Sequence, residues 1–100
     1  MKLGIVVNSE RHLDHIIGLV KAASRKGHSV SIFAMDTGTR LLGRTEFTQL
    51  CAEDDVVMSL CQHSADEQGV STDGISKEIV LGSQFNNAMM NSEADRVVVL

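Results

Sequence analysis

The sequence predicts an α/β protein, a three-layer α/β/α sandwich around a mostly parallel sheet of about four to five strands. Three features carry that prediction. Short apolar runs rich in β-branched residues recur along the chain, at Leu3 to Val7, Val30 to Ala34, Val56 to Leu60 and Arg96 to Leu100, each of a length that suits a strand inside a sheet. Stretches with helical spacing separate them, so neighbouring strands must run parallel and the helices must cover both sheet faces. The 100 residues, 43% of them hydrophobic, suffice for one core and are too few for two, so residues 1–100 are expected to form a single domain.

The first strand ends at Asn8 and Ser9, both good helix caps, and Glu10 is expected in the first turn of the helix that follows. Leu13, Ile16, Ile17 and Val20 recur at helical spacing, Lys21, Arg25 and Lys26 load the last turn with positive charge, and Gly27 stops the helix. Val30, Ile32 and Ala34 alternate with Ser29, Ser31 and Phe33, which predicts a second strand with Phe33 covered on its other face. Asp36-Thr37-Gly38-Thr39 reads as a turn-rich loop. Leu41 and Leu42 begin a helical turn that Gly43 interrupts, and Phe47, Leu50 and Cys51 mark a short second helix before the break at Asp54 and Asp55.

Val56 to Leu60 is the central strand, expected to be buried on both faces. From Cys61 to Gln68 no residue is β-branched and none is Pro, and Gly69 tolerates a positive φ, so a short helix with a C-terminal stop follows. Val70 to Ser76 lacks periodicity and is taken as a loop. Ile79 to Leu81 is a short strand or a buried lead-in to a helix capped by Ser83, which carries Phe85, Ala88 and Met89 and closes near Ala94.

Composition narrows the function. A net charge of −4 with no basic run or basic helix face argues against nucleic acid or an anionic membrane as partner. The three Phe, with no Trp or Tyr, offer no aromatic platform for bases or sugars. The apolar stretch at Leu3 to Val7 is far shorter than a signal-peptide core, and nothing approaches a membrane span, so a cytoplasmic protein is expected. Two cysteines, Cys51 and Cys61, then fit a reducing compartment in which a thiol is catalytic or inert. No G-x-G-x-x-G, Walker-type glycine loop or C-x-x-C occurs, which removes the usual support for dinucleotide, NTPase and thioredoxin-type readings. His12 and His15 are three apart on the first helix, but a metal site needs a third ligand that the sequence does not show. Neither metal nor cofactor is expected.

The stretch from Asp55 to Gly69 carries the chemistry. Cys61 sits where a strand hands over to a helix, and unpaired amide N–H groups with the positive end of the helix dipole favour a thiolate there. The amides of Gln62 and His63 are expected to steady that anion. Direct pairing of Cys61 with the His63 ring is not expected, because positions i and i+2 on a helix point apart. Asp66 and Glu67 oppose a thiolate unless they face away, so Arg40 or Arg44 is the candidate source of positive charge. In parallel sheets ligands bind beyond the carboxyl ends of the strands, which adds Asn8 after the first strand, and Asp36, Gly38 and Arg40 after the second, as candidate substrate-binding residues beside Gln62 and His63. The plainer alternatives are an inert buried Cys61, a surface turn at Asp36 to Thr39, and Cys51 as core packing beside Phe47.

Taken together, Lys2 to Val7, Val30 to Gly38 with its Asp-x-Gly loop, the strand-Cys-helix-Gly unit of Val56 to Gly69, and the terminal EADRVVVL of Glu93 to Leu100 resemble the DsrE/DsrF/DsrH-like family, the small sulfur-relay proteins that include the Tus subunits. The resemblance implies an α/β/α domain that assembles into homo- or hetero-oligomers, commonly trimers or hexamers. It also implies a persulfide-carrying cysteine after the third strand, the position of Cys61, exchanging sulfur with donor and acceptor proteins. Some members lack the cysteine, so a non-catalytic oligomeric binding or scaffold module is the alternative. A Cys51–Cys61 redox switch is the third reading and requires the two side chains to meet within disulfide range.

Overall fold

In the computed structural model, which describes residues 1–100, the strands are β1 (Lys2–Val7), β2 (Ser29–Ala34), β3 (Val56–Cys61), β4 (Ile79–Gly82) and β5 (Arg96–Val99). The helices are α1 (Leu13–Arg25), α2 (Thr45–Thr48), α3 (Gln62–Glu67) and α4 (Gln84–Glu93), with 3₁₀ helices at Asp36–Gly43 and Gln49–Ala52. All pairings are parallel and the spatial order is β4-β3-β2-β1-β5. The chain therefore steps one strand at a time from β1 to β4, then doubles back across the sheet to place β5 beside β1.

That reversal accounts for the layering. Parallel connections keep one hand, so steps in one direction put their helices on one face and the return step puts its helix on the other. Ile5, Val7, Ile32, Met58 and Leu60 face α1, α2 and the 3₁₀ helices in a cluster of 18 buried residues that includes Ile16, Val20, Phe47, Leu50 and Ala65. On the opposite face the buried cluster is only Val6, Phe33 and Cys61 of the sheet with Met90 of the single helix α4. The three-layer α/β/α sandwich is thus lopsided, with one thick outer layer and one thin one.

Three expectations need correction. Asn8 and Ser9 do not cap α1: Ser9 Oγ accepts the N–H of Arg11 at 3.0 Å, closing a local turn, and the helix starts at Leu13 with no side-chain cap on its first turn. Glu10 therefore lies outside the helix. The segment from Asp36 is no irregular loop but the start of a 3₁₀ helix, in which fully buried Thr39 donates its hydroxyl to the Asp36 carbonyl at 2.8 Å. And β3 is not buried on both faces, because Val57 is 62% exposed on the α4 side, which one helix cannot cover. No helix is long and apolar enough to cross a membrane.

Candidate functional site

The register is level across the carboxyl ends of the strands. Val7 pairs with Ala34, Ala34 with Leu60, and Leu60 with Leu81. The next residues, Asn8, Met35, Cys61 and Gly82, therefore line one edge, and Cys61 and Gly82 remain paired as the last rung between β3 and β4. Side-chain alternation sends Leu60 into the large cluster and Cys61 to the α4 face.

Cys61 is also the N-cap of α3. Its Sγ accepts the N–H of Ser64 at 3.5 Å, a sulfur in the place where Ser, Thr or Asp oxygens usually cap. Gly69, at φ +67, ends the helix after six residues. Over so short a helix the local amides, not a macrodipole, supply the positive field. A cap acceptor reaches the second and third amides of the helix, so the donors are the amides of His63 and Ser64; the expected contribution of the Gln62 amide is replaced by that of Ser64.

Burial pushes the Cys61 thiol up, but the hydroxyl and amide of Ser64, the carboxamide of Gln84 and the amide of His63 together outweigh it, so the thiol lies below its ordinary value. None of these groups is charged. Arg40 and Arg44, the expected sources of positive charge, are engaged elsewhere, Arg40 with Glu10 at 3.2 Å and Arg44 with Glu46 at 2.9 Å. Asp66 accepts from the Gln62 side chain at 2.9 Å and Glu67 pairs with His63 at 3.0 Å, so both carboxylates are occupied along α3 itself. The His63 ring is 82% exposed and does not meet Cys61.

The remaining candidates gather at the ends of β1 and β2. The Thr37 hydroxyl reaches the Asn8 carbonyl at 3.5 Å, Asp36 adopts φ 49, and Gly38 is pressed so closely against Val7 that a Cβ would fall on the Val7 carbonyl. Gly38 is there because only a residue without a side chain lets the 3₁₀ helix lie against β1. Beside them a polar cleft of about 380 Å³ is lined by Ser9, Glu10, Arg11, His12 and Thr37. None of Asn8, Asp36, Gly38 or Arg40 hydrogen-bonds the Cys61 sulfur. The strand order reverses between β1 and β5, two strands from Cys61, so Cys61 lies away from the switch point such sheets ordinarily use.

Cys61 itself is only 4% exposed, packed with Val6, Phe33, Met90 and, partly, Met35. Gln84 and Ser64 are the contacts that sequence reasoning missed. Ser64 was legible as the third residue of a capped helix, the position whose amide a cap accepts. Gln84 required knowing that Ile79–Gly82 is a strand beside β3, so that the first turn of α4 overhangs Cys61. Cys51 packs against the large cluster on the other sheet face and borders a cleft of about 510 Å³ with Thr45, Thr48, Ser71 and Ser76. With the sheet between them, Cys51 and Cys61 are free thiols that do not meet, which removes the redox-switch reading.

The fold defines the class, a small parallel α/β sandwich, and in this chain a capping thiol stands after the third strand. Among solved structures of this fold, the ychN protein from E. coli superposes with a TM-score of 0.72 at 20% identity, covering 100% of this chain and 100% of that one. MTH1491 from Methanobacterium thermoautotrophicum, described as a protein of unknown function, gives a TM-score of 0.75 at 12% identity, over 99% of this chain and 98% of that one. No family model matches the chain, and no curated protein matches it in sequence. At these identities the likeness is one of fold, and at that level it agrees with the resemblance to the DsrE/DsrF/DsrH-like proteins.

Proposed function

We propose that this protein is a sulfur-relay protein, sulfurtransferase-like, that carries sulfane sulfur as a persulfide on Cys61. The observation that carries the reading is the capping geometry: a sulfur atom takes the place of a capping oxygen, ringed by neutral donors that favour its anion. Thiolate Cys61 attacks the outer sulfur of a donor R–S–SH, a Cys61–sulfur bond forms as the donor S–S bond breaks, and the leaving RSH carries away the proton. The persulfide then passes its outer sulfur to an acceptor thiol by the same exchange, with no external oxidant. Donor and acceptor are partner proteins or small persulfides in a reducing cytoplasm, and no cofactor takes part.

The carrier acts as a homo-oligomer, a trimer or hexamer. Supporting this, Val57, Val80, Val97 and Val99 project from the α4 face of the sheet and Phe85 and Met89 from α4, all exposed. Large apolar side chains left exposed on α4 and on the sheet to both sides of it are the kind of surface that association with another copy covers. The second reading, a non-catalytic oligomeric binding or scaffold module, draws on the same surface and on the burial of Cys61.

Intact mass after exposure to inorganic polysulfide separates them. The carrier reading expects added sulfur mass on the wild type, removed by a thiol reductant, and none on Cys61→Ser. Equal gain on both proteins, or none on either, favours the scaffold.

A further inference from the structure

We infer that Gln84 is a second functional residue of the Cys61 site, shielding Sγ in the resting protein and donating a hydrogen bond to the outer sulfur of the persulfide. This rests on the persulfide reading for its second half only.

The placement of Gln84 is built by its neighbours. Cys61 pairs with Gly82 across the last rung of the β3–β4 ladder. A Cβ at Gly82 would collide with the Asn86 carboxamide, which instead accepts the Ser83 N–H at 3.0 Å and completes a capping box with Ser83. The first turn of α4 is thereby fixed over the end of β3, and Gln84 is its first residue.

The orientation of the carboxamide is set as well. Asn87 donates to Gln84 Oε1 at 3.1 Å, which leaves the NH₂ end to face sulfur: Nε2 lies 3.9 Å from Sδ of Met35, a residue packed against the cluster that holds Cys61, and the carboxamide helps to lower the Cys61 thiol. Thioether and thiol sulfurs are weak acceptors, so this donor gains a strong partner only when an anionic sulfur stands before it.

The other donors to Sγ are on the protein side. Ser64 is buried, and His63 contributes only its backbone amide. The apolar neighbours Val6, Phe33 and Met90 close the floor. Gln84 is exposed, so approach from solvent runs past it. A persulfide's outer sulfur stands about 2 Å beyond Sγ, directed away from the apolar floor of Val6, Phe33 and Met90. The contacts of Gln84 with Asn87 and Met35 are both exposed, so the side chain leaves and regains them on short timescales, which reconciles a covered sulfur with a reactive one. Compact sulfane donors, such as inorganic polysulfide or a low-molecular-weight persulfide, then reach Cys61 with no backbone movement.

No charged side chain intrudes on the titration this predicts. On α3, His63, Asp66 and Glu67 are paired with one another or with Gln62. After β2, Asp36 and Arg40 do not act on the sulfur, and α4 carries only Glu93, at its far end.

The test compares Gln84→Leu, which keeps the bulk without the donor, with Gln84→Ala, which removes both, in a Cys51→Ser background. Iodoacetamide alkylation of Cys61 is followed against pH, and persulfide lifetime after polysulfide loading is followed by mass spectrometry. Both variants are expected to move the alkylation midpoint to higher pH, and only Gln84→Ala to raise the high-pH plateau several-fold. Loaded persulfide is expected to decay several-fold faster in both. Wild-type midpoints and plateaus in both variants overturn the assignment. If the wild type takes up no sulfur, the carrier reading fails, while the alkylation profiles still decide whether Gln84 shields and hydrogen-bonds the thiolate.

Discussion

Phe33→Ala is expected to lower the unfolding free energy by about 3–5 kcal/mol, the usual cost of emptying a core aromatic site. Phe33 has 0% exposure and is the largest member of the cluster under α4, whose other buried members are Val6, Cys61 and Met90. Nothing else of comparable volume stands between the sheet and that helix. Neighbours can refill the space only by letting α4 settle toward β1 and β2, which would drag Gln84 away from Cys61. In urea the midpoint should fall at nearly unchanged slope, since the same surface is exposed on unfolding. A domain whose whole stability is on the order of 5–15 kcal/mol would come close to its limit. A loss below about 1 kcal/mol would mean that α4 is held by something other than this cluster.

Phe85→Asp is expected to convert the proposed homo-oligomer into a monomer of 10.8 kDa. Phe85 is 69% exposed, at the first turn of α4, and Val57 and Val80 flank α4 on the sheet below. In a symmetric oligomer every copy of an interface repeats the same contacts, so one charge per chain is met again at each of them. Desolvating a carboxylate against valine and phenylalanine costs several kcal/mol with no partner to offset it. The substitution leaves the fold intact because the side chain it replaces is already in solvent in the single chain. Light scattering coupled to size exclusion reads the outcome. A wild type that is already monomeric at working concentration would leave the apolar face without this explanation.

Most of the fold was legible because burial imposes periodicity. The spacing of Leu13, Ile16 and Val20 and the alternation through β2 are direct records of which side faces the core, and the large cluster retains them. The edges were less legible. A short apolar run reads the same whether both faces are covered or one, and only the return step of the chain from β4 to β5 determines that the α4 face receives a single helix. Val57, Val80 and Val97 therefore looked like core. The 3₁₀ helix at Asp36–Gly43 was missed because a three-residue repeat leaves no mark at helical spacing, and its stabilising contacts, Thr39 to the Asp36 carbonyl and Gly38 against Val7, are local hydrogen bonding and close approach.

At the site, the sequence located the thiol and misjudged what surrounds it. Cys61 is the residue after a strand, as its position suggested, and its capping bond to Ser64 follows from helix geometry. The search for positive charge pointed to Arg40 and Arg44, since long side chains leave no trace of their direction in sequence. Neutral donors from Ser64, Gln84 and His63 act in their stead. That distinction has a consequence for salt: neutral hydrogen bonds are not screened, so a thiolate stabilised this way keeps its poise as ionic strength rises.

A folded-state pKa below the unfolded one also couples to stability. Between the two values the unfolded chain binds more protons, so stability rises with pH across that interval and the gain is lost as pH falls through the folded value. The direct readout is the alkylation rate of Cys61 against pH in Cys51→Ser protein, where the rate follows the thiolate fraction. The capping geometry predicts half-maximal reactivity at a pH below that of an unperturbed thiol, at low and high salt alike. A midpoint at or above the unperturbed value would contradict it and leave Cys61 a buried, inert side chain.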